Sequence, residues 1–474
     1  MSVGNSIARQ ANTLDTEVIV VGGGISGLAC ANALKKEGVS VIVLEASHHL
    51  GGRIRTIRED ELMSPGQCPK SHDRWLRTFV PSSPSRALGA DNFGFEVGAE
   101  FVHGRTTPLN ELLAERKVRL QELFTWAHGD GGPSEKAAPD GGIGMYWMGK
   151  EQKLLRFDEK DPDLDAMHEA LWTIGDLSRG ATHDDTRTLR QYLADEGVSE
   201  RAVGMAEAGY ANTVCGTLDK IGLAQMAQCE RNWFKDGEGD FRVEGTLNET
   251  VIPALAEGLD VRTSSAVKHI SHVGERVTVS VLGGTSILAA AVVVTVPIPV
   301  LQRGVIKFTP PLSDLKQKAL SSLECEPALK IHAKFSSRVW PHNLHGMVCS
   351  DDFAPEIWFD KHDAADGNSV YYCTAFFTSD QARSISALET GDAFHRLIDQ
   401  IDRMFKVSCD KFFCGGFICD WGAVPYIWGG YTVPSKKGDM WSVECGMWSV
   451  PEAIQLCVPR ALILSVLTNI SSKC

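Results

Sequence analysis

Residues 16–56, TEVIVVGGGISGLACANALKKEGVSVIVLEASHHLGGRIRT, constrain the fold more than any other part of the chain. Residues 18–21 are an apolar, β-branched run. Gly22-Gly23-Gly24-Ile25-Ser26-Gly27 supplies G-x-G-x-x-G, and residues 25–37 are apolar at helical spacing until Gly38 ends the pattern. A second strand, residues 39–44, delivers Glu45 eighteen residues beyond Gly27. A glycine-rich turn alone says little, but here strand, loop, helix, second strand and terminal acid occur in order, which predicts a dinucleotide-binding unit. Gly22 permits the tight turn, Gly24 lets the backbone approach a pyrophosphate, and Gly27 lets helix and strand touch. Ile25 and Ser26 open a helix whose N-terminus offers N–H groups and the positive end of its dipole, and Glu45 accepts hydrogen bonds from ribose hydroxyls.

The sequel separates FAD from NAD. Glu45-Ala46 is followed by Gly51-Gly52-Arg53 and Thr56. The glycine pair allows the chain to pass close to a cofactor, and the Arg53 guanidinium suits the pyrophosphate or the flavin end. The alternative for Arg53 is a surface arginine on a loop.

These residues resemble the flavin-containing amine oxidase family, which includes polyamine oxidases, monoamine oxidases and lysine-specific histone demethylases. The resemblance runs from Thr16 to about Tyr431. Residues 96–104, EVGAEFVHG, are similar to the family segment that passes the flavin, which implies cofactor contacts for Gly98, Ala99 and Glu100. Residues 241–245, FRVEG, resemble the stretch that re-enters the FAD domain, with Thr246 replacing the usual second glycine. Val267 resembles the family valine whose backbone meets the adenine. Residues 292–297, VVVTVP, look like the strand closing the cofactor domain, and residues 306–312, IKFTPPL, like the return into the substrate domain.

The resemblance also implies site residues. Lys330, in ALKIHAKF, resembles the family lysine that holds a water at flavin N5, a role in which burial eases proton exchange. The alternative is a lysine pointing outward from a strand, and Lys334 lies on the same face. His103 stands where some polyamine oxidases place a substrate-contacting acid or histidine, or is a histidine satisfied near a turn. Trp421 and Tyr431 resemble one aromatic wall of an amine cage that acts by cation–π attraction, or are core aromatics. Gly430 stands where monoamine oxidases carry a flavin-linked cysteine, so FAD is expected to be non-covalent.

The implied fold class is α/β: a Rossmann-like FAD-binding domain interleaved with an α+β substrate-binding domain. FAD-binding parts are expected at 1–110 and 240–303, substrate-domain parts at 111–239 (mostly helical) and 304–425 (sheet), and an incomplete, atypical segment at 426–474. Residues 58–92, rich in Pro, Ser and Gly, read as a surface insertion. Residues 164–177, 189–196 and 202–210 read as helices, and 276–282 with 287–296 as a hairpin around Gly283-Gly284. No long heptad stretch supports a coiled-coil tower.

Composition agrees. A chain of 474 residues exceeds one core, 43% hydrophobic and 23% charged residues describe a globular protein, and no run approaches the ~20 apolar residues of a membrane span. The thirteen cysteines form no C-x-x-C pair and no metal-type grouping, so reduced thiols in an intracellular, cytoplasmic protein and no metal are expected. The closing Ser472-Lys473-Cys474 faintly resembles a peroxisomal tripeptide. A net charge of −13 attracts polycations such as polyamines and repels nucleic acid.

The expected activity is FAD-dependent oxidation of an amine, a polyamine above all, to an imine, with O₂ reduced to H₂O₂. An amino-acid oxidase would need an arginine for the substrate carboxylate that the motifs do not reveal. A weakly active FAD-binding remnant is the third reading, because after Tyr431 the family's strand carrying Ala-Gly-Glu, its glycine-rich turn and its long helix are not recognisable. The chain continues instead as GDMWSVECGMWSVPEAIQLCVPRALILSVLTNISSKC.

Overall fold

The computed structural model describes residues 15–63, 75–82, 93–123, 142–176, 185–233, 239–274, 276–363, 369–437 and 454–456. Two eight-stranded sheets, each assembled from separated stretches of chain, carry the fold. Architecture and element mix are α/β, as expected.

The first sheet runs in the order Asp260–Arg262, Val41–Leu44, Thr16–Val21, Ser286–Val294, Arg276–Val281, Val267–Val273 and Lys307–Thr309. Thr16–Val21 lies parallel to both neighbours, with Val21 opposite Leu44 on one side and Val294 on the other. Such strands are covered on both faces, which is why they read as continuous Val/Ile runs rather than alternating ones. The predicted hairpin forms between Arg276–Val281 and Ser286–Val294, with Gly283 and Gly284 in the left-handed half of backbone space. Ile454–Leu456 adds to this sheet as a parallel partner of residues 292–294. The tail therefore supplies a strand that its sequence does not announce; its other residues lie outside those described.

The second sheet runs Leu76–Phe79, Phe413–Asp420, Ala328–Phe335, Ser369–Thr378, Glu356–Asp363, Leu344–Ser350, Ile143–Met148 and Lys153–Arg156. Leu76–Phe79 falls within the stretch read as a surface insertion, and that reading is corrected: the segment is an edge strand, introduced by a buried Trp75. Pro162–Trp172, Leu189–Asp195 and Glu200–Ala206 form the expected helical wall. Thr390–Phe405 was not anticipated, although Phe394, Leu397, Ile398, Ile401 and Met404 recur at helical spacing and fill the core beneath the sheet.

Phe101–His103, Asp240–Val243 and Leu120–Glu122 pair antiparallel as a separate three-stranded sheet, with Asp240–Val243 in the middle. Thr246, the departure from the usual glycine, caps the helix Leu247–Ala256 by accepting from the Glu249 N–H at 3.2 Å. No helix among the described residues is long and apolar enough to cross a membrane, and the described cysteines are free thiols.

Candidate active site

The glycine-rich loop leads from Thr16–Val21 into the helix Ile25–Lys36. A Cβ on Gly27 would stand 1.9 Å from the Gly22 carbonyl oxygen, so only glycine lets the helix meet the loop this closely. Gly24 differs: a Cβ there would meet nothing nearer than the Gly51 oxygen at 4.0 Å. Gly24 is also the N-cap, with no side-chain cap and no acid in the first turn, so the N–H groups around Ile25 and Ser26 are left for an anion. Glu45 closes the cradle. Its carboxylate accepts from the Gly23 N–H at 2.7 Å and from the Ser47 N–H and hydroxyl at 2.8 Å. The Ser265 N–H bonds the Glu45 carbonyl, which brings Val267 and the backbone after Glu45 and Ala46 to the same edge. A dinucleotide with an anionic pyrophosphate fits this arrangement.

Gly51 and Gly52 turn the chain back against this loop, and Arg53 donates to the Gly430 carbonyl at 2.5 Å, tying the loop to Tyr431. The next contact is tighter still. A Cβ on Gly98 would lie 1.8 Å from the Arg53 carbonyl oxygen, which also accepts from the Ala99 N–H at 3.0 Å. Trp421, 4% exposed, donates its indole N–H to the Val97 carbonyl at 2.7 Å and packs beneath this segment.

The strand Ala328–Phe335 crosses above. Leu329, Ile331, Ala333 and Phe335 enter the core, so Lys330, His332 and Lys334 share the opposite face. Both lysines are buried, at 5% and 1% exposure, so neither points outward. Lys334 pairs with the fully buried Glu59 at 2.5 Å. Lys330 bonds the Glu96 carbonyl at 3.0 Å, the Gly98 carbonyl at 2.9 Å and a Glu100 carboxylate oxygen at 2.9 Å. The other Glu100 oxygen accepts from Arg242 at 3.0 Å, and Arg242 clamps Asp360 at 2.5 and 3.1 Å. Burial alone would raise the Glu100 carboxyl; the Lys330 ammonium and the Arg242 guanidinium outweigh it and hold the group below its usual range. Buried His332 is kept neutral by burial and by Lys330.

Aromatic rings line the ground beside Lys330. Its ammonium lies 5.1 Å from the Trp358 ring. Trp358 meets Phe101 at 5.5 Å and Phe376 at 5.9 Å, and Phe376 meets Tyr431 at 6.4 Å. Glu356, two residues before Trp358 on one strand face, accepts from Asn212 at 2.9 Å and Thr213 at 3.2 Å, and burial pushes its carboxyl up to about 7. Burial likewise pushes Glu96 to about 7, against hydrogen bonds from the Leu247 N–H and Thr56. His103 sits exposed at the rim, its Nδ1 2.5 Å from Asp240. No group of three metal-type ligands occurs among the described residues.

The fold thus brings Gly22–Gly27, Glu45, Val267, the Gly51–Arg53 turn, the Gly98–Glu100 segment, Lys330 and Tyr431 to one junction. The sequence reading missed Arg242, Glu356, Trp358, Asp360 and Phe376 as site residues. The period-two pattern of EIWFDKHD puts Glu356, Trp358 and Asp360 on one face, a signal that becomes usable once the opposite face is known to be core.

A model of the flavin-containing amine oxidoreductases matches residues 25–443. The chain belongs to this family. It is similar to the probable polyamine oxidase 4 of Arabidopsis thaliana, 26% identical over 434 residues that make up 90% of this chain and 79% of the relative. It is equally similar, 26% over 398 residues, to the lysine-specific histone demethylase 1B of Mus musculus, covering 83% of this chain but only 42% of the demethylase. Among solved structures, a putrescine oxidase bound to putrescine has a TM-score of 0.70 at 20% identity, over 93% of this chain and 92% of that one, a likeness of fold. The cofactor of the family is a flavin. With a dinucleotide cradle present and Gly430 offering no thiol, it is FAD held without a covalent bond.

Proposed function

We propose that this chain oxidises a polyamine at the carbon next to nitrogen, giving an imine that water hydrolyses. FAD, when bound, supplies the two-electron acceptor and passes the electrons to O₂ as H₂O₂. The observation that carries the reading is the run Phe101, Trp358, Phe376 and Tyr431 flanking buried Lys330 beside the Gly98 segment, with the Glu356 carboxyl next to it. Aromatic faces hold a cationic chain by cation–π attraction at about 0.5–2 kcal/mol each, and a carboxyl that titrates near 7 ionises when a second ammonium approaches it. In this reading Lys330 would hold a water at the flavin N5, once one of its three hydrogen bonds is exchanged for that water. His103, oriented by Asp240 at the rim, accepts the proton that the incoming ammonium must lose. Trp421 acts by supporting the Val97–Gly98 backbone. Free, mostly buried thiols agree with a cytoplasmic setting.

An amino-acid oxidase fits less well, because Arg242, the arginine beside Glu100 and Lys330, is already committed to Glu100 and Asp360 and Arg53 donates to the Gly430 carbonyl. The test is purified yellow protein, bleached anaerobically with putrescine, spermidine, spermine, monoamines and amino acids, then reoxidised with H₂O₂ measured. Polyamines should bleach it fastest. Bleaching by amino acids alone, or by nothing in a sample fully loaded with FAD, refutes the reading.

A further inference from the structure

We propose that Glu100 is the positioning residue for Lys330, holding its ammonium through a chain of alternating charges that runs Asp360, Arg242, Glu100, Lys330 across the junction of the two sheets. The proposal rests on the flavin-site reading above. The four groups come from four separated segments: Glu356–Asp363, Asp240–Val243, the loop before Phe101–His103, and Ala328–Phe335. Each link is within hydrogen-bonding distance, and the middle carboxylate spends one oxygen on each cation. An ammonium from a substrate would have to displace one of them, so Glu100 is placed to hold Lys330 rather than to receive the amine.

A lysine needs such a holder. Its stem has four rotatable carbons and its three donors carry no intrinsic direction. Two of the acceptors here, the Glu96 and Gly98 carbonyls, belong to a segment locked against Arg53, and the Glu100 carboxylate is the third corner. The Trp358 ring stands 5.1 Å from the ammonium as well. A buried charge is costly unless paired, and here two cations are balanced by two carboxylates. Glutamine at position 100 keeps the shape but offers one acceptor oxygen to two cations, so its NH₂ group must face either Lys330 or Arg242. One link of the chain then breaks.

The experiment compares wild type, Glu100→Gln, Lys330→Met and the double variant, each loaded with FAD. Anaerobic flavin reduction by spermine and the melting temperature are measured. Glu100→Gln should lower the limiting reduction rate about tenfold or more while moving the half-saturating spermine concentration less than about threefold. The double variant should reduce within about twofold of Lys330→Met alone, because the two residues act through one group. Each single variant should melt below wild type, and the double should recover part of the loss. A raised half-saturating concentration at unchanged limiting rate, or rate losses that multiply, overturns the proposal. If no amine reduces wild-type flavin, the functional reading falls, and the melting cycle decides this inference by itself: additive losses refute it.

Discussion

Replacing Lys334 by methionine should destabilise the chain heavily although Lys334 lies four residues, two repeats of the strand pattern, away from Lys330. Lys334 and Glu59 are 1% and 0% exposed and 2.5 Å apart. At an effective dielectric of about 20, their attraction is about 7 kcal/mol, against a desolvation cost of several kcal/mol for each ion, so the intact pair is close to neutral. Lys334→Met removes the attraction and leaves the Glu59 charge in the interior. The expected loss is therefore about 3–5 kcal/mol, while Glu59→Gln/Lys334→Met should recover most of it. Thermal melting followed by tryptophan fluorescence should show the single variant several degrees below wild type and the double between the two. At a temperature where all are folded, amine-driven flavin reduction should differ little among them, unlike the Lys330 variants. A single variant within about 1 kcal/mol of wild type, or a double variant worse than either single, refutes the buried-pair argument.

Glu45→Ala should weaken FAD binding by about 1.5–3 kcal/mol for each charge-assisted ribose hydrogen bond removed, read as flavin lost on gel filtration and a raised dissociation constant in titration. Gly98→Ala forces the segment off Arg53, since its Cβ would lie 1.8 Å from a backbone oxygen; flavin content and melting temperature should both fall. The Glu356 carboxyl, raised from 4.5 to about 7, binds its proton more tightly folded than unfolded, so its contribution to stability is complete below about 4.5 and is lost as pH rises through about 7. Glu356→Gln should accordingly gain about 3 kcal/mol over wild type at pH 8 and nothing near pH 4, measured by urea unfolding across pH. Ending the chain at Lys437 removes the strand Ile454–Leu456 and should lower FAD occupancy; unchanged occupancy would show that this strand does not support the cradle.

How much of this was legible in the sequence follows from which interactions are local. The glycine-rich loop and Glu45 are within thirty residues of one another and their spacing encodes their geometry. The lysine strand was legible as a strand, but whether Lys330 or Lys334 faced inward was not. Alternation puts both on one face, and only the three-dimensional positions of Glu59 and Glu100 show that each lysine is buried against its own carboxylate. Arg242 was part of a recognised motif, yet its two partners lie more than a hundred residues away in sequence. Ion pairs of that range leave no periodic trace. Leu76–Phe79 was masked for a different reason: its neighbours have turn-rich composition, and an edge strand of four residues needs only one good partner, Phe413–Asp420.

The tail poses the same question at the cofactor edge. Residues 286–289 of the long strand Ser286–Val294 are paired with the hairpin strand Arg276–Val281, whereas residues 291–294 face Thr16–Val21 on one side and extend beyond the hairpin on the other. That leaves a row of backbone donors and acceptors in the middle of a sheet, where an unpaired group costs as much as a lost hydrogen bond. Ile454–Leu456 takes that row, opposite residues 292–294. Any extended segment free of proline can do so, because the ladder reads the backbone and not the side chains, so the strand forms without the Ala-Gly-Glu motif. The pairing matters for the site through Thr295, which follows directly: its N–H bonds the Val21 carbonyl at 2.8 Å and its hydroxyl lies 3.2 Å from the Gly22 carbonyl oxygen. A strand that steadies residues 292–294 therefore steadies the Gly22 turn of the glycine-rich loop, whatever its own sequence.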